Sequence, residues 1–318
     1  MVDRELGRDP QTKQSRPIRE RNARSRSRVT IGRRHDPCAS SNGVGDPCER
    51  RIHSITVNVI VEARRHAPLF RNLVRREVRQ RYKASVLGLL WTLINPLVMV
   101  AAYWFVFRFV FPTGSNQPYA LFLFVGLATW AVFMGGAQSA ASSLVTNATL
   151  VTKVRFPRQI VPLSAMAGQW FTAGAMFVIA VPLCLIFGHG SRLTWISIPP
   201  MLVLLCMLTV GFGLLLAAVN VYFRDIEHIL GALALPWFFL TPVLFSLDMI
   251  PADEQWAGDL LHYGNFVTPF ILSVRDPLFT GRWPAAGDVA YCAVAAVVVL
   301  VAGLLVFRQL EREMAVEL

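Results

Sequence analysis

The chain has 318 residues, of which 54% are hydrophobic and 16% charged, and its mean hydropathy is +0.46. A soluble domain typically has about a quarter of its residues charged, so this composition excludes an ordinary water-soluble globule. The net charge of +11 lies at one end: residues 1–85 hold 21 Lys and Arg against 9 Asp and Glu, and residues 86–318 hold 10 against 11. A nucleic-acid-binding domain would carry its basic residues on its folded face. We therefore predict an all-α membrane protein with a basic N-terminal arm and no nucleic-acid partner.

The first 54 residues form that arm. They mix Arg, Ser, Asp, Pro and Gly without apolar periodicity, and such a composition buries too little surface to offset the entropy of ordering. We expect residues 1–54 to be disordered. A solvated tail is one interpretation, and a tether to anionic lipids or to a partner is the other.

The segment 55–83 ends in a stripe of apolar residues at helical spacing. Phe70, Leu73, Val74, Val78 and Tyr82 recur at intervals of three and four, which predicts an amphipathic helix over 68–83. The other positions are largely basic: Arg71, Arg75, Arg76, Arg79, Arg81 and Lys83. Such a helix before a membrane span lies in the headgroup plane, and a solvated cytosolic helix is the alternative.

Six apolar runs follow that are long enough to be membrane helices. A span needs about 20 apolar residues to cross about 30 Å of hydrocarbon. We predict six transmembrane helices at residues 84–107, 119–141, 160–187, 198–221, 229–247 and 289–307.

The loop charges orient these spans. Lys153, Arg155 and Arg158 lie between spans two and three, and Arg224 follows span four, whereas the segment 248–288 carries six acids and two arginines. Because basic loops stay in the cytoplasm, we expect a multi-pass protein with both termini cytoplasmic.

The sequence shows no energy-converting or catalytic motif. A phosphate-binding loop needs a Gly-Lys pair, but Lys13, Lys83 and Lys153 follow Thr12, Tyr82 and Thr152. The five cysteines form no C-x-x-C pair, which predicts no metal or other cofactor on this chain. The spans hold almost no ionisable residues of the kind that couple ions to transport. The energy for any transport is therefore expected from a partner.

Several short motifs occur in register along the chain: Arg81-Tyr82-Lys83-x-Ser85-x-Leu87-Gly88-x-x-Trp91, Asn95-Pro96, Phe156-Pro157-Arg158, Arg224-Asp225-Ile226, Thr241-Pro242-Val243 and Phe307-Arg308-x-Leu310-Glu311. From about residue 68 to its end, the chain resembles the ABC-2 type permeases. The branch in question exports bacterial polysaccharides such as O-antigens, teichoic acids, capsules and galactans. One departure is Asn265-Phe266, where the family pattern has Asn-Pro.

The resemblance implies an assembly in the bacterial cytoplasmic membrane. Residues 84–318 would be the transmembrane domain, and two copies would pair with two ATP-binding cassette subunits, which bind ATP and Mg²⁺. The helix at 68–83 would be a gate helix at the cytoplasmic mouth, carrying Arg75, Arg76, Arg79, Arg81, Tyr82 and Lys83. The segment 248–288 would form short re-entrant helices on the outer side.

The same resemblance places a coupling helix in the segment 147–158. Its docking residues would be Lys153, Arg155, Phe156, Pro157 and Arg158. An aromatic anchor flanked by charges suits an acidic-rimmed cleft, and the alternative is that the arginines only set topology. The gate-helix arginines can grip a lipid-linked pyrophosphate or anchor to the headgroups of membrane lipids.

Aromatic residues supply candidates for a channel lining, because sugar rings present apolar C–H faces. The candidates are Tyr103, Trp104, Phe107 and Trp130. Their alternative roles are interface anchoring and lipid contact.

We therefore expect the permease subunit of an ATP-driven exporter of a polysaccharide or lipid-linked glycan, without enzymatic activity of its own. One alternative is an ABC-2 permease for small hydrophobic drugs or lipids. The other is a membrane-embedded glycosyl- or acyltransferase, for which His262 is the only histidine near the outer acids.

Overall fold

The computed structural model describes residues 66–80, 90–106, 109, 119–154, 156–187, 192–311 and 314. The predicted arm over 1–54 lies outside these residues, as do Arg81, Tyr82, Lys83, Phe107 and Arg155. Within the described ranges every regular element is a helix. The all-helical class predicted from the sequence is thus confirmed for this part of the chain.

The described residues form eleven α-helices, numbered in chain order. The first, α1, covers residues 66–80, and short 3-10 or π segments join several of the others. The remaining helices are α2 Leu90–Phe105, α3 Tyr119–Trp130, α4 Gly136–Thr146, α5 Ala148–Lys153, α6 Ile160–Phe187, α7 Ile198–Tyr222, α8 Asp225–Leu240, α9 Gln255–Asp259, α10 Thr268–Phe279 and α11 Ala286–Leu310.

Among the described residues, four helical stretches are long and apolar enough to cross a membrane: Tyr119–Thr146, Ile160–Ile186, Arg192–Tyr222 and Ala286–Leu310. The first of them joins α3 and α4 through the π segment Ala131–Gly135. These stretches coincide with predicted spans two, three, four and six, so the chain is a multi-pass membrane protein.

The bounds predicted for the fifth span are wrong. α8 runs from Asp225 to Leu240, so it begins and ends earlier than the predicted 229–247. Its end is set by the sequence Thr241-Pro242: Thr241 is extended, with ψ at 134°, and a residue before proline avoids the helical region while proline itself donates no hydrogen bond. α2 and α8 each have 16 residues and are about 24 Å long at 1.5 Å per residue.

The continuous helix α3–α4 lies at the centre of the bundle. In its most apolar stretch 72% of the residues are buried, whereas the corresponding share in α11 is 17%. Nearly every residue from Leu121 to Trp130 is buried among α2, α6 and α10. α11 packs mainly on α7 and leaves the rest of its surface for lipid.

The α7–α11 contact is a close approach of two backbones. A Cβ atom added to Gly303 would overlap the carbonyl oxygen of Gly211, and one added to Gly211 would overlap the backbone around Val299 and Leu300. Glycine at both positions is therefore a packing requirement, as it is where membrane helices touch along small residues.

At the far end of α8, polar groups hold the segment that leads to α10. The Nη1 atom of Arg275 donates a hydrogen bond of 2.7 Å to the Pro242 carbonyl, and the guanidinium lies 4.0 Å above the ring of Phe122. Burial lowers the pKa of Arg275 to about 10, and the nearby Asp276 carboxylate opposes that shift. The guanidinium therefore stays charged at neutral pH.

Residues Asn265 and Phe266, where the family pattern has Asn-Pro, are held by two sets of contacts. The Asn265 amide accepts a bond of 3.0 Å from the indole of Trp237 and donates one of 2.8 Å to the Thr241 hydroxyl. The Phe266 ring packs on Phe133 and Trp237, with centroids 5.7 and 5.4 Å away. The turn thus joins the end of α8 to α10, and Phe266 supplies ring contacts that a proline at its position would not make.

Candidate functional site

The predicted gate helix corresponds to α1. Its partly buried side includes Phe70, Leu73, Val74 and Val78, the apolar stripe identified in the sequence. Its exposed side includes Arg75, Arg76 and Arg79. The helix begins two residues before Pro68, and Arg81, Tyr82 and Lys83 follow it outside the described residues.

α1 packs on α6 and is hydrogen-bonded to the junction of α4 and α5. A Cβ atom built on Gly168 of α6 would lie 3.0 Å from the Cβ atom of Glu77, so the two helices meet at this glycine. The Nη2 atom of Arg76 donates a bond of 2.8 Å to Oδ1 of Asn147. The residues missed by sequence reasoning include Asn147, which is 7% exposed.

Asn147 also organises the start of the short helix α5. Its Nδ2 atom donates to the Ser143 carbonyl at 2.9 Å. Its own carbonyl accepts from the backbone N–H groups of Leu150 and Val151, at 2.9 and 3.1 Å. One polar residue therefore ends α4, begins α5 and contacts α1.

α5 presents a polar face outward. Val151 is buried, at 3% exposure, while Thr149, Thr152 and Lys153 are exposed. Lys153 lies in the last turn, where its charge complements the negative end of the helix dipole. This places one predicted docking residue on an accessible surface.

Phe156 lies half-buried just after α5. It packs against a buried apolar cluster that includes Leu144, Val161 and Phe307, contributed by α4, α6 and α11. Pro157 follows it, also half-buried. The ring is thus held by the bundle and is also accessible from outside.

Arg158 contacts the end of α11. Its backbone N–H donates to Oε1 of Glu311 at 3.2 Å, and its Nη1 atom donates to the Glu311 carbonyl. The last carbonyls of a helix lack partners within the helix, so this arginine satisfies one of them. Arg158 therefore serves an intramolecular contact, which the sequence argument had not anticipated.

A cleft of about 630 Å³ lies between the segment after α5 and the end of α11. It is lined by Val151, Thr152, Val154, Phe156, Arg158, Arg308 and Glu311. An aromatic surface bordered by charged groups is suited to binding a protein segment. Among the described residues no group of three or more His, Cys, Asp or Glu could hold a metal ion.

Asn220 is a second buried polar residue that the sequence argument missed. It is 1% exposed. Its Nδ2 atom donates to the Ala141 carbonyl at 2.9 Å, and its Oδ1 atom accepts from the Glu227 N–H at 3.1 Å. It thereby fixes α4, α7 and α8 to one another. Its signal in the sequence was an amide near the end of an otherwise apolar span.

The channel-lining candidates lie in different environments. Trp104 on α2 is 42% exposed. A residue that lines a duct between two protomers must be exposed in each protomer alone. Trp130 is 9% exposed, and its ring packs on Phe133, Trp237 and Phe238. The prediction that Trp130 lines a channel is therefore not supported, because the ring belongs to the protomer's own core. The side chains of Tyr103 and Phe107 lie outside the described residues.

A bundle of apolar spans, with an exposed basic helix and an aromatic cleft bordered by charged groups at one end, is typical of a membrane transport subunit. Residues 68–279 match the model of the ABC-2 type transporter family. The chain belongs to this family. ABC-2 permeases pair with an ATP-binding subunit.

Three relatives illustrate the similarity. The O-antigen export system permease protein RfbA of Myxococcus xanthus is 33% identical over 264 residues, covering 81% of this chain and 98% of the relative. RfbA of Klebsiella pneumoniae is 31% identical over 214 residues, covering 66% of this chain and 79% of the relative. The polysialic acid transport protein KpsM of Escherichia coli is 23% identical over 251 residues, covering 76% and 93%.

Proposed function

We propose that the chain is the permease subunit of an ATP-driven exporter that moves a polysaccharide or lipid-linked glycan across the bacterial cytoplasmic membrane. The observation that carries this proposal is the 33% identity to an O-antigen export permease over 98% of that relative's length. A second type of relative is named for the transport of polysialic acid. Both names describe glycans, so a glycan is the substrate class that they support.

The proposed architecture has six spans, formed by α2, α3–α4, α6, α7, α8 and α11. This even number agrees with loop charges that favour cytoplasmic termini. α10 is largely buried, and its 12 residues extend about 18 Å at 1.5 Å per residue. That length is too short for a bilayer, and a re-entrant helix on the outer side fits it.

Two copies of the chain would form the duct, and two ATP-binding subunits, carrying ATP and Mg²⁺, would drive it. Trp104 remains the described candidate for the duct wall, with Tyr103 and Phe107 as further candidates. Arg75, Arg76 and Arg79 of α1 would meet the phosphates of a lipid-linked glycan or of membrane lipids, because arginine binds phosphate in a bidentate way. Arg81, Tyr82 and Lys83 would extend that surface.

The coupling site of this proposal is the Phe156 cleft. Lys153, Arg155, Phe156 and Pro157 would contact the ATP-binding subunit. Arg158 would hold the docking loop against α11 through Glu311. The half-buried ring of Phe156 gives such a contact an apolar centre, and the charged rim gives it specificity.

The test is co-purification and export in a strain that lacks the chromosomal copy. The tagged chain is expected to purify with an ATP-binding subunit and to restore glycan at the cell surface. Phe156→Asp should abolish both, because it puts a charge at the centre of the contact. The matched control is Phe223→Asp, at an exposed phenylalanine in the turn between α7 and α8. Drug or lipid phenotypes without intracellular glycan accumulation would overturn the proposed substrate class.

A further inference from the structure

A polar groove separates the second half of α4 from the first two turns of α8. Its volume is about 340 Å³, within the range of about 300–1,000 Å³ of small-molecule sites. Its walls are formed by Gln138, Ser139 and Ser142 of α4 and by Glu227, Leu230 and Gly231 of α8. We keep the name polar groove for this set.

The groove lies at the end of a membrane span: Gln138 and Ser139 fall within the predicted span 119–141, whereas Ser142 and Glu227 lie just outside the predicted spans. Gln138 precedes the end of α4 at Thr146 by eight residues (146 minus 138), which is about 12 Å along a helix. A side-chain amide at that depth does not face hydrocarbon; it faces the protein interior or water. The groove is open at the surface of the described protomer, and its polar lining favours water over hydrocarbon on that side.

The groove has a fixed shape. Asn220 bonds to the Ala141 carbonyl on the α4 wall and to the Glu227 N–H on the α8 wall. The Ser142 hydroxyl is held on its own helix by a bond of 3.3 Å to the Gln138 carbonyl. The two walls therefore keep their spacing without a ligand, which lowers the entropic cost of binding one.

Gly231 keeps the groove open. A Cβ atom built at this position meets no other heavy atom within 4 Å. The space in front of the α8 backbone can therefore accept a ligand atom, and a larger side chain would occupy it without displacing the protomer's own groups.

We propose that the polar groove is a binding site for a sugar unit of the exported glycan at the cytoplasmic entrance of the duct. The identity of this ligand, a glycan, rests on the proposed function. Its amide and hydroxyl groups both donate and accept, and the Glu227 carboxylate accepts from two hydroxyls at once, which matches a neutral, hydroxyl-rich ring. Bonds of this kind, few and open to water, hold a passing chain without trapping it.

The first test fills the groove in the complete exporter. Gly231→Leu is expected to reduce export at least tenfold and to accumulate glycan inside the cell, while co-purification with the ATP-binding subunit is unchanged. Gly174→Leu is the matched control, because Gly174 of α6 also has open space around its Cβ position. Export by Gly231→Leu at the rate of the control would overturn the proposal.

The second test measures whether the groove is wet. In a chain with its native cysteines replaced, Ser142→Cys should react with a charged, membrane-impermeant thiol reagent in inverted vesicles. The reaction should be slower in vesicles from a strain that makes the glycan than in vesicles from one that does not. Val178→Cys, on a residue that is 72% exposed on α6, should not react.

The outcomes separate the two proposals. If Ser142→Cys is unreactive, the polar groove is not aqueous and the proposed sugar site is wrong. The proposed export function would still stand, because it does not depend on this result. Equal reactivity in both strains would also exclude a sugar site. Glycan export that does not require this chain would instead overturn the proposed function.

Discussion

The guanidinium of Arg76 in α1 and the side-chain oxygen of Asn147, the residue between α4 and α5, are joined by a hydrogen bond of 2.8 Å. The same Asn147 side chain holds the end of α4 through Ser143. The basic helix α1 and the start of α5 are thus linked by a direct side-chain hydrogen bond.

The first prediction concerns that contact. Arg76→Ala removes a charge-assisted hydrogen bond, for which about 1 kcal/mol is expected at a partly exposed position, and this corresponds to about a fivefold change. We expect a loss of that size in export rate and in glycan-stimulated ATP hydrolysis in proteoliposomes. Arg71→Ala, at an exposed arginine of α1 outside the proposed phosphate-binding set, should retain at least half of both activities. Equal losses in the two variants would show that the effect comes from the lost positive charge of α1 and not from the lost hydrogen bond to Asn147.

The second prediction separates docking from positioning at Arg158. Arg158→Ala removes the donor to the Glu311 carbonyl, so about 1–2 kcal/mol of stability should be lost. In detergent this lowers Tm by about 2–8 °C. Glu311→Gln keeps an acceptor for the Arg158 N–H and should leave Tm unchanged. Arg308→Ala, in the same cleft, is the charge control. An unchanged Tm for Arg158→Ala with loss of the ATP-binding subunit would show that Arg158 acts in docking.

The sequence predicted the elements that depend on hydropathy and local periodicity. The apolar runs located spans two, three, four and six, because hydrocarbon and protein interior both select apolar side chains. For the same reason hydropathy could not tell that Trp130 is buried in the protomer rather than in a duct. The predicted fifth span extends past the end of α8 at Leu240, although Pro242 signals a helix end, because the apolar run continues beyond the helix.

The contacts of the docking region could not be predicted in the same way. Arg158 and Glu311 are 153 positions apart, and Arg76 and Asn147 are 71 apart. Such pairs arise only when the helices are packed, and a single sequence contains no signal for them. Arg158 and Glu311 were each recognised as part of a motif, but the motifs did not show that the two residues contact each other.

The third prediction concerns Arg275, which is 2% exposed. Arg275→Met keeps most of the volume but leaves the buried Pro242 carbonyl without its donor and removes the charge above Phe122. We expect about 1–3 kcal/mol of lost stability, read as a lower Tm in detergent. Arg282→Met, at an exposed arginine of the same outer segment, is the control and should be neutral. A Tm for Arg275→Met at or above that of the control would mean that desolvation of the guanidinium outweighs its contacts.

The fourth prediction tests the α7–α11 contact with two identical substitutions in one helix. A methyl group at Gly303 overlaps the carbonyl of Gly211, so Gly303→Ala must push two backbones apart. Gly287→Ala, near the start of α11, meets no atom within 4 Å and should be neutral or slightly stabilising, since alanine is favoured over glycine in a helix by about 1 kcal/mol. We expect Gly303→Ala to cost about 1–3 kcal/mol, the usual range for overpacking. Thermal unfolding in detergent measures both. Because intrinsic helix propensity favours the two variants alike, equal Tm values would mean that α7 and α11 can separate without loss, and that their close approach does not stabilise the bundle.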